Sequence, residues 1–235
     1  MALKAIVIGA TSGIGKELVR ILHREEYVVG AIGRRSDLLR EIKTELRCRI
    51  HVKEMDITSS DAQENLQSLI REMGGVELIV ISAGTGDLNV NWESEMHTIE
   101  TNVLGFTSMS TVAFKYFSDK GSGHLVGISS IGAIRGGVVP AYNASKAFVS
   151  NYLQGLRIIA LKQEKKITIT DIQPGFVDTK MAKGSGLFWV ASPEKAAIQI
   201  YLAIVGKRKH AYITKRWRII AYLYKILPDW LYHKL

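Results

Sequence analysis

The sequence has 235 residues, 47% of them hydrophobic, which suits one globular domain with a sizeable core and excludes a disordered or fibrous chain. Its formal net charge of +9 is concentrated at one end, since residues 207–235 carry eight Lys/Arg against one acid and residues 1–206 carry 23 against 21. A nearly neutral body speaks against a general nucleic-acid binder, and no uninterrupted apolar run approaches the roughly 20 residues of a membrane-spanning helix.

Short β-branched runs alternate with helix-like stretches along the chain. "LKAIVIG" is followed by a helix to about Arg24, "YVVGAIG" by a helix from Ser36, and "RIHVKEMD" by a helix to about Met73. Then come "VELIVISAG", a long helical piece over about 92–118, "HLVGISS", a piece after Pro140, "ITITDIQPG", and a helix after Pro193. Strands separated by crossover helices predict a parallel sheet covered on both faces, the doubly wound α/β architecture. Residues 1–206 are expected to form one domain, with 207–235 a basic, amphipathic C-terminal extension of it. The single cysteine, Cys48, cannot form an internal disulfide, and "KAIVIGA" is not a secretory leader, so a reducing, cytoplasmic setting is expected.

The first strand opens into "GATSGIG", with Gly9, Gly13 and Gly15. A turn stripped of side chains at a helix N-terminus lets a diphosphate reach free amides and the positive end of the helix dipole. The glycine count alone is a weak signal, because a tight strand-to-helix turn without ligand reads the same way. At the end of the second strand an NAD site would carry an acid for the ribose 2′-hydroxyl. Here the chain reads Gly33-Arg34-Arg35, and cations just before a helix start oppose its dipole by about 0.3–1 kcal/mol. An anion such as a 2′-phosphate removes that conflict, so NADP is expected over NAD, with Arg34 ahead of Arg35 as its ligand because it follows the strand end directly.

In "YNASK" Tyr142 and Lys146 lie four apart, which on a helix points both side chains into one space. Ser129 in "GISSIGA" precedes the tyrosine by thirteen residues, and Asn102 lies in "TNVLG". These elements, in this order with "GATSGIG" and "ISAG" (81–84), resemble the short-chain dehydrogenase/reductase family over roughly residues 1–205. "QPGFVDT" (173–179) is similar to its proline-glycine segment, which closes over the nicotinamide, and "MDI" (55–57) to the segment whose aspartate contacts adenine. Ile81 and Ser82 stand where most relatives have two asparagines.

The resemblance implies a Rossmann-like single-domain oxidoreductase that moves a hydride between NADP(H) and a carbonyl or secondary alcohol. It assigns Asn102, Ser129, Tyr142 and Lys146 to catalysis, with Ser129 preferred over its neighbour Ser130 on the thirteen-residue spacing. Tyr142 serves as acid or base, Lys146 lowers its pKa and binds the ribose, Ser129 bonds the substrate oxygen, and Asn102 holds a relay water. Cofactor contacts are expected at Gly9, Thr11, Ser12, Gly13, Ile14, Gly15, Arg34, Arg35, Asp56, Ile57, Ala83, Gly84, Tyr142, Lys146, Pro174, Gly175, Val177 and Thr179. It also implies a homo-oligomer.

The segments 131–140 and 180–194, which set substrate choice in the family, are largely apolar, so a hydrophobic small molecule is expected. Arg135 within the first reads as a solvated arginine or a contact for an anionic group. The tail "KRWRIIAYLYKILPDWLYHKL" (215–235) reads as a helix before Pro228 with a broad apolar surface. That surface has to dock on its own domain or a partner subunit, or make peripheral contact with a membrane. A catalytically silent dinucleotide-binding sensor or scaffold is the alternative, and the Ser/Tyr/Lys set argues against it because binding alone needs no acid.

Overall fold

The structure, a computed structural model, describes residues 2–179 and 188–232. Its elements run β1 (Lys4–Ile8), α1 (Gly13–Arg24), β2 (Val28–Gly33), α2 (Ser36–Leu46), β3 (Ile50–Glu54), α3 (Ala62–Glu72), β4 (Leu78–Ile81), α4 (Trp92–Ile99) and α5 (Phe106–Lys120). There follow β5 (Ser122–Ile128), α6 (Pro140–Lys162), β6 (Lys166–Pro174), α7 (Pro193–Val205), β7 (His210–Ile213), α8 (Trp217–Ile226) and α9 (Asp229–Tyr232). The strands form one parallel sheet in the order β3-β2-β1-β4-β5-β6-β7, with β1 at Ile6 aligned with Gly30 of β2 and Ile79 of β4.

Both faces of the sheet are covered, and β1 shows why its sequence is an unbroken apolar run. Ala5 and Val7 enter a core with Leu18, Leu22, Val29 and Ile200 under α1 and α7. Ile6 and Ile8 point the other way, into a core with Leu66, Ile79, Phe106, Met109 and Leu153 under α3, α5 and α6. Pro140 and Pro193 occupy first-turn positions of α6 and α7, where a missing N–H breaks no bond, and Ser192 caps α7 by accepting from Lys195 N at 3.2 Å.

Two features depart from the sequence reading. The stretch at 92–118 is interrupted by a π-helical turn, Glu100–Gly105, between α4 and α5. And the extension beyond residue 206 is no mere appendage, because its first part supplies β7, which pairs with β6 from Asp171↔His210 to Pro174↔Ile213. A four-residue edge strand set among Lys207, Arg208, Lys209 and Lys215 carries little hydrophobic signal. No helix among the described residues is long and apolar enough to cross a membrane.

Candidate active site

The functional residues gather at the C-terminal ends of the strands, where the order reverses between β1 and β4. Gly9 takes φ +90°, and a Cβ there would lie 2.5 Å from Ala83 N, so the turns after β1 and β4 touch through bare backbone. Gly13, at φ +52°, opens α1 against Thr179, and Ser12 makes no side-chain cap bond to that helix. A cleft of about 330 Å³ is lined here by Thr11, Ser12, Gly13, Lys16, Arg35, Asp178 and Thr179 among others. Helix-start amides, a cradle that a side chain would fill and two cations make a donor set that fits a phosphate-bearing dinucleotide.

The two arginines part company. Arg35 lies over the glycine turn, its Nη2 donating to Thr11 Oγ1 at 2.9 Å, whereas Arg34 turns outward to Asp56 Oδ2 at 3.4 Å. Against the preference for Arg34, it is Arg35 that lines the cleft, occupying the position before α2, which begins at Ser36 itself. Asp56 accepts from Thr58 N and Oγ1 at 2.9 and 2.8 Å. Burial pushes its carboxyl up, but those bonds and Arg34 outweigh it and hold it below the usual range. Ile57 is buried against Gly105, which secures the turn after β3 to the π turn.

The π turn explains the setting of Asn102. Its carboxamide accepts from Thr85 N at 2.8 Å and donates to Thr85 O at 2.7 Å and Ser145 Oγ at 3.0 Å. Ser145 Oγ in turn donates to Tyr142 O at 2.8 Å, so Asn102 clamps the loop after β4 to the first turns of α6. Gly84 passes close beneath, where a Cβ would come 3.0 Å from Lys146 Nζ and 3.2 Å from Asn102 Oδ1.

Tyr142 and Lys146 share a face of α6, with Nζ 5.8 Å from the tyrosine ring centroid and donating to Ile128 O at 3.1 Å. Burial pulls the Lys146 pKa down to about 8, with the charge of Asp171 working against the fall. The lowering of the Tyr142 phenol, expected from Lys146 together with bound oxidised nicotinamide, is not supplied by the protein's residues alone. Burial raises the phenol above its ordinary value, with the neighbouring Ser130 working against the rise. The ring packs on Gly86, where a Cβ would sit 2.6 Å from Tyr142 Cδ2.

The two serines face different ways. Ser129 Oγ donates to Asp171 Oδ1 at 2.5 Å and to Ile172 O at 3.1 Å, inside the sheet and away from the phenol. Ser130 is the one on the side of the phenol: a Cβ on Gly132 would meet both Ser130 Oγ at 3.5 Å and Tyr142 Cε1 at 3.6 Å. Its side chain also accepts from Gly132 N at 3.1 Å, turning the chain out of β5, and consecutive strand-end residues point to opposite faces. A spacing count of thirteen cannot separate neighbours whose faces differ.

Pro174 ends β6, and Gly175 abuts the Trp217 indole so closely that a Cβ would lie 2.1 Å from Cε2. Val177 is buried and bridges Ala191, with Asp178 N donating to Ala191 O at 2.8 Å. The substrate-loop expectation at 180–187 lies outside the described residues; beyond it, Phe188 and Trp189 stack with Trp217 and Phe176. Arg135 is neither solvated nor a ligand for a small anion. It donates to the carbonyls of Tyr224 at 3.2 Å and Leu227 at 2.5 Å, pairs with Asp229, and stacks at 4.4 Å on Tyr232. The tail docks on its own domain.

Ser130, Ser145, Gly86 and Asp171 were not picked out by motif. The signal for Asp171 was present: an acid inside "ITITDIQP", a strand buried for most of its length, demands partners.

The profile of the family described as short chain dehydrogenase matches residues 4–187. An uncharacterized oxidoreductase of Myxococcus xanthus is 34% identical over 186 residues, covering 75% of this chain and 73% of that protein. Another, of Mycobacterium tuberculosis, is 30% identical over 217 residues, covering 87% and 85%. Among solved structures, a short chain dehydrogenase from Burkholderia cenocepacia in complex with NADP superposes with a TM-score of 0.84 at 21% identity, covering all of this chain and 97% of the other. The closed form of a serine dehydrogenase complexed with NADP+ gives 0.78 at 24%, covering 86% and 89%. The chain belongs to the short-chain dehydrogenase family of oxidoreductases.

Proposed function

We propose that this chain is an NADP(H)-dependent reductase that moves a hydride between the nicotinamide and the carbonyl of a hydrophobic small molecule. The observation that carries this reading is the convergence of Ser130 and Tyr142 at Gly132, with buried Lys146 Nζ 5.8 Å from the tyrosine ring centroid. A protonated phenol paired with a second hydroxyl offers two donors to one carbonyl oxygen, as reduction requires. Bound nicotinamide supplies the hydride.

The chain's residues take the following parts. Gly9, Thr11, Ser12, Gly13, Ile14 and Gly15 hold the diphosphate, Arg35 faces the 2′-phosphate with Arg34 behind it, and Asp56 and Ile57 flank the adenine. Ala83, Gly84 and Lys146 face the nicotinamide ribose, and Pro174, Gly175, Val177 and Thr179 back the nicotinamide. Tyr142 gives its proton to the carbonyl oxygen, Ser130 holds that oxygen, and Lys146 stabilises the phenolate left behind. Asn102 is a positioning residue, acting through Thr85 and Ser145. The apolar substrate class rests on Phe176, Phe188 and Trp189 beside the proline-glycine segment. The exposed free Cys48 agrees with a reducing, cytoplasmic setting, and membership of the family supports a homo-oligomer. A silent sensor would use the lysine to hold the ribose but has no need of a tyrosine and a serine set beside it as proton donors.

Calorimetric titration with NADPH and NADH, followed by NADPH consumption over a panel of apolar ketones and aldehydes, tests the reading on wild type and Tyr142→Phe. Both proteins are expected to bind NADPH, and only wild type to oxidise it. Failure to bind either nucleotide would overturn the proposal, and equal turnover by the variant would remove Tyr142 from it.

A further inference from the structure

The tail is apolar on two faces, and only one of them is used. Trp217, Ile220, Ala221, Tyr224 and Leu227 turn inward, at the i, i+3, i+4 spacing of a docked helix. Trp217 is 2% exposed, wedged between Ile131 and Ile134 of one segment beside Tyr142 and Phe176 and Phe188 of the other. The opposite face presents Ile219, Tyr222, Leu223 and Ile226, at 62%, 65%, 40% and 58% exposure. Lys215, Arg216, Arg218 and Lys225 are exposed around them.

We propose that this outward face of α8 is a monotopic docking surface for an anionic lipid bilayer. Composition and charge select that occupant. A protein partner's apolar groove would match the aliphatic residues but leave four cations at the rim to be paired individually. A bilayer surface carrying anionic headgroups receives the apolar residues and the cations together. The outward face carries Tyr222 with Lys215 and Lys225 exposed around it, as interfacial helices do, and +7 of the chain's +9 lies in residues 207–235, so the attraction is local to this end. Docking through Arg135 and Trp217 makes the tail one body with the loop that leads into Tyr142, so lipid contact holds that loop against the membrane. The surface stands independently of the reaction assigned to the site.

Flotation of the full chain with vesicles of phosphatidylcholine, with and without phosphatidylglycerol, tests this. The chain is expected to float with the anionic vesicles, far less with the neutral ones, and to be released as salt rises. The double variant Ile219→Glu/Ile226→Glu is expected to stay in the aqueous fraction while keeping its circular dichroism and NADPH affinity, because both positions are solvent-facing. Arg218→Gln and Lys225→Gln should each weaken binding about fivefold. Absence of the wild type from both lipid fractions at low salt overturns the proposal, as does equal flotation by the double variant. So would a lipid-independent fall in sedimentation coefficient of the double variant with no wild-type flotation, which would assign the face to a second copy of the chain.

Discussion

Ser129 is bound to Asp171, its hydroxyl donating to Oδ1 at 2.5 Å, with Ser150 supplying a second hydroxyl to Oδ2 at 2.8 Å and Gln173 an amide at 3.2 Å. The serine nearest in count to the catalytic position thus serves a carboxylate inside the sheet, and its neighbour faces the phenol.

That division separates two variants. Ser130→Ala is expected to lower kcat/KM by about 10²–10³-fold, the usual effect of losing one donor to a developing oxyanion, with NADPH affinity unchanged. Ser129→Ala should leave turnover close to wild type and lower stability by about 1–3 kcal/mol, since it strips a buried carboxylate of a donor. Steady-state kinetics beside urea unfolding distinguish them, and a larger kinetic defect in Ser129→Ala would restore the spacing-based assignment.

Arg35, over the glycine turn, should dominate nucleotide choice. Arg35→Ala is expected to weaken NADPH binding about 10- to 100-fold, the worth of a charge-assisted bond, and to leave NADH binding little changed. Arg34→Ala should have a small effect on both, because its guanidinium is exposed and directed at Asp56. Calorimetry on the four protein–nucleotide pairs gives the answer.

Lys146 carries a stability signature. Its folded pKa of about 8 lies below the ordinary 10.5, with burial the main cause, so the folded state disfavours the charged form. The gap corresponds to about 3 kcal/mol against folding at pH below 8. Between about 8 and 10.5 the unfolded chain binds more protons than the folded one, so this group's contribution to stability rises with pH across that window. Lys146→Met is therefore expected to be inactive yet more stable than wild type at pH 7, with the advantage fading toward pH 10.5. Urea unfolding of both proteins across that range measures it.

Gly175→Ala should separate the tail from the body. The added methyl has no room beside the Trp217 indole, and overpacking of this kind costs about 1–3 kcal/mol. With the wedge displaced, α8 loses its main buried anchor, and brief proteolysis is expected to clip the variant after residue 214 while wild type stays whole. Resistance equal to wild type would mean that the Arg135 contacts alone hold the tail.

What was legible in the sequence follows a physical divide. The alternation of strands and helices was readable because β1 and β4 are buried on both faces and so carry apolar runs, Ala5–Ile8 and Leu78–Ile81. The tyrosine–lysine pair was readable because helix periodicity fixes which side chains share a face. The choices between Ser129 and Ser130 and between Arg34 and Arg35 were hard to read for one common reason: each is between adjacent residues at a strand end, where a single residue flips the side chain to the other face. The π turn at Asn102 was hidden because its one-residue widening leaves helical composition unchanged. β7 escaped because the sheet, and not its own four residues, supplies its reason to be extended.

The aromatic wedge under the tail is also an optical probe. The chain has four tryptophans, and two of them, Trp189 and Trp217, lie with ring centroids 6.0 Å apart at an interplanar angle of 85°, while Phe188 stacks on Trp217 at 5.0 Å. Indoles held in a fixed, non-parallel arrangement couple their transitions, so the near-ultraviolet circular dichroism of this protein reports whether the segment after the proline-glycine turn and the tail are seated together. Nucleotide, lipid and substrate can each be added to one cuvette, and the same unlabelled band will register which of them rearranges that junction.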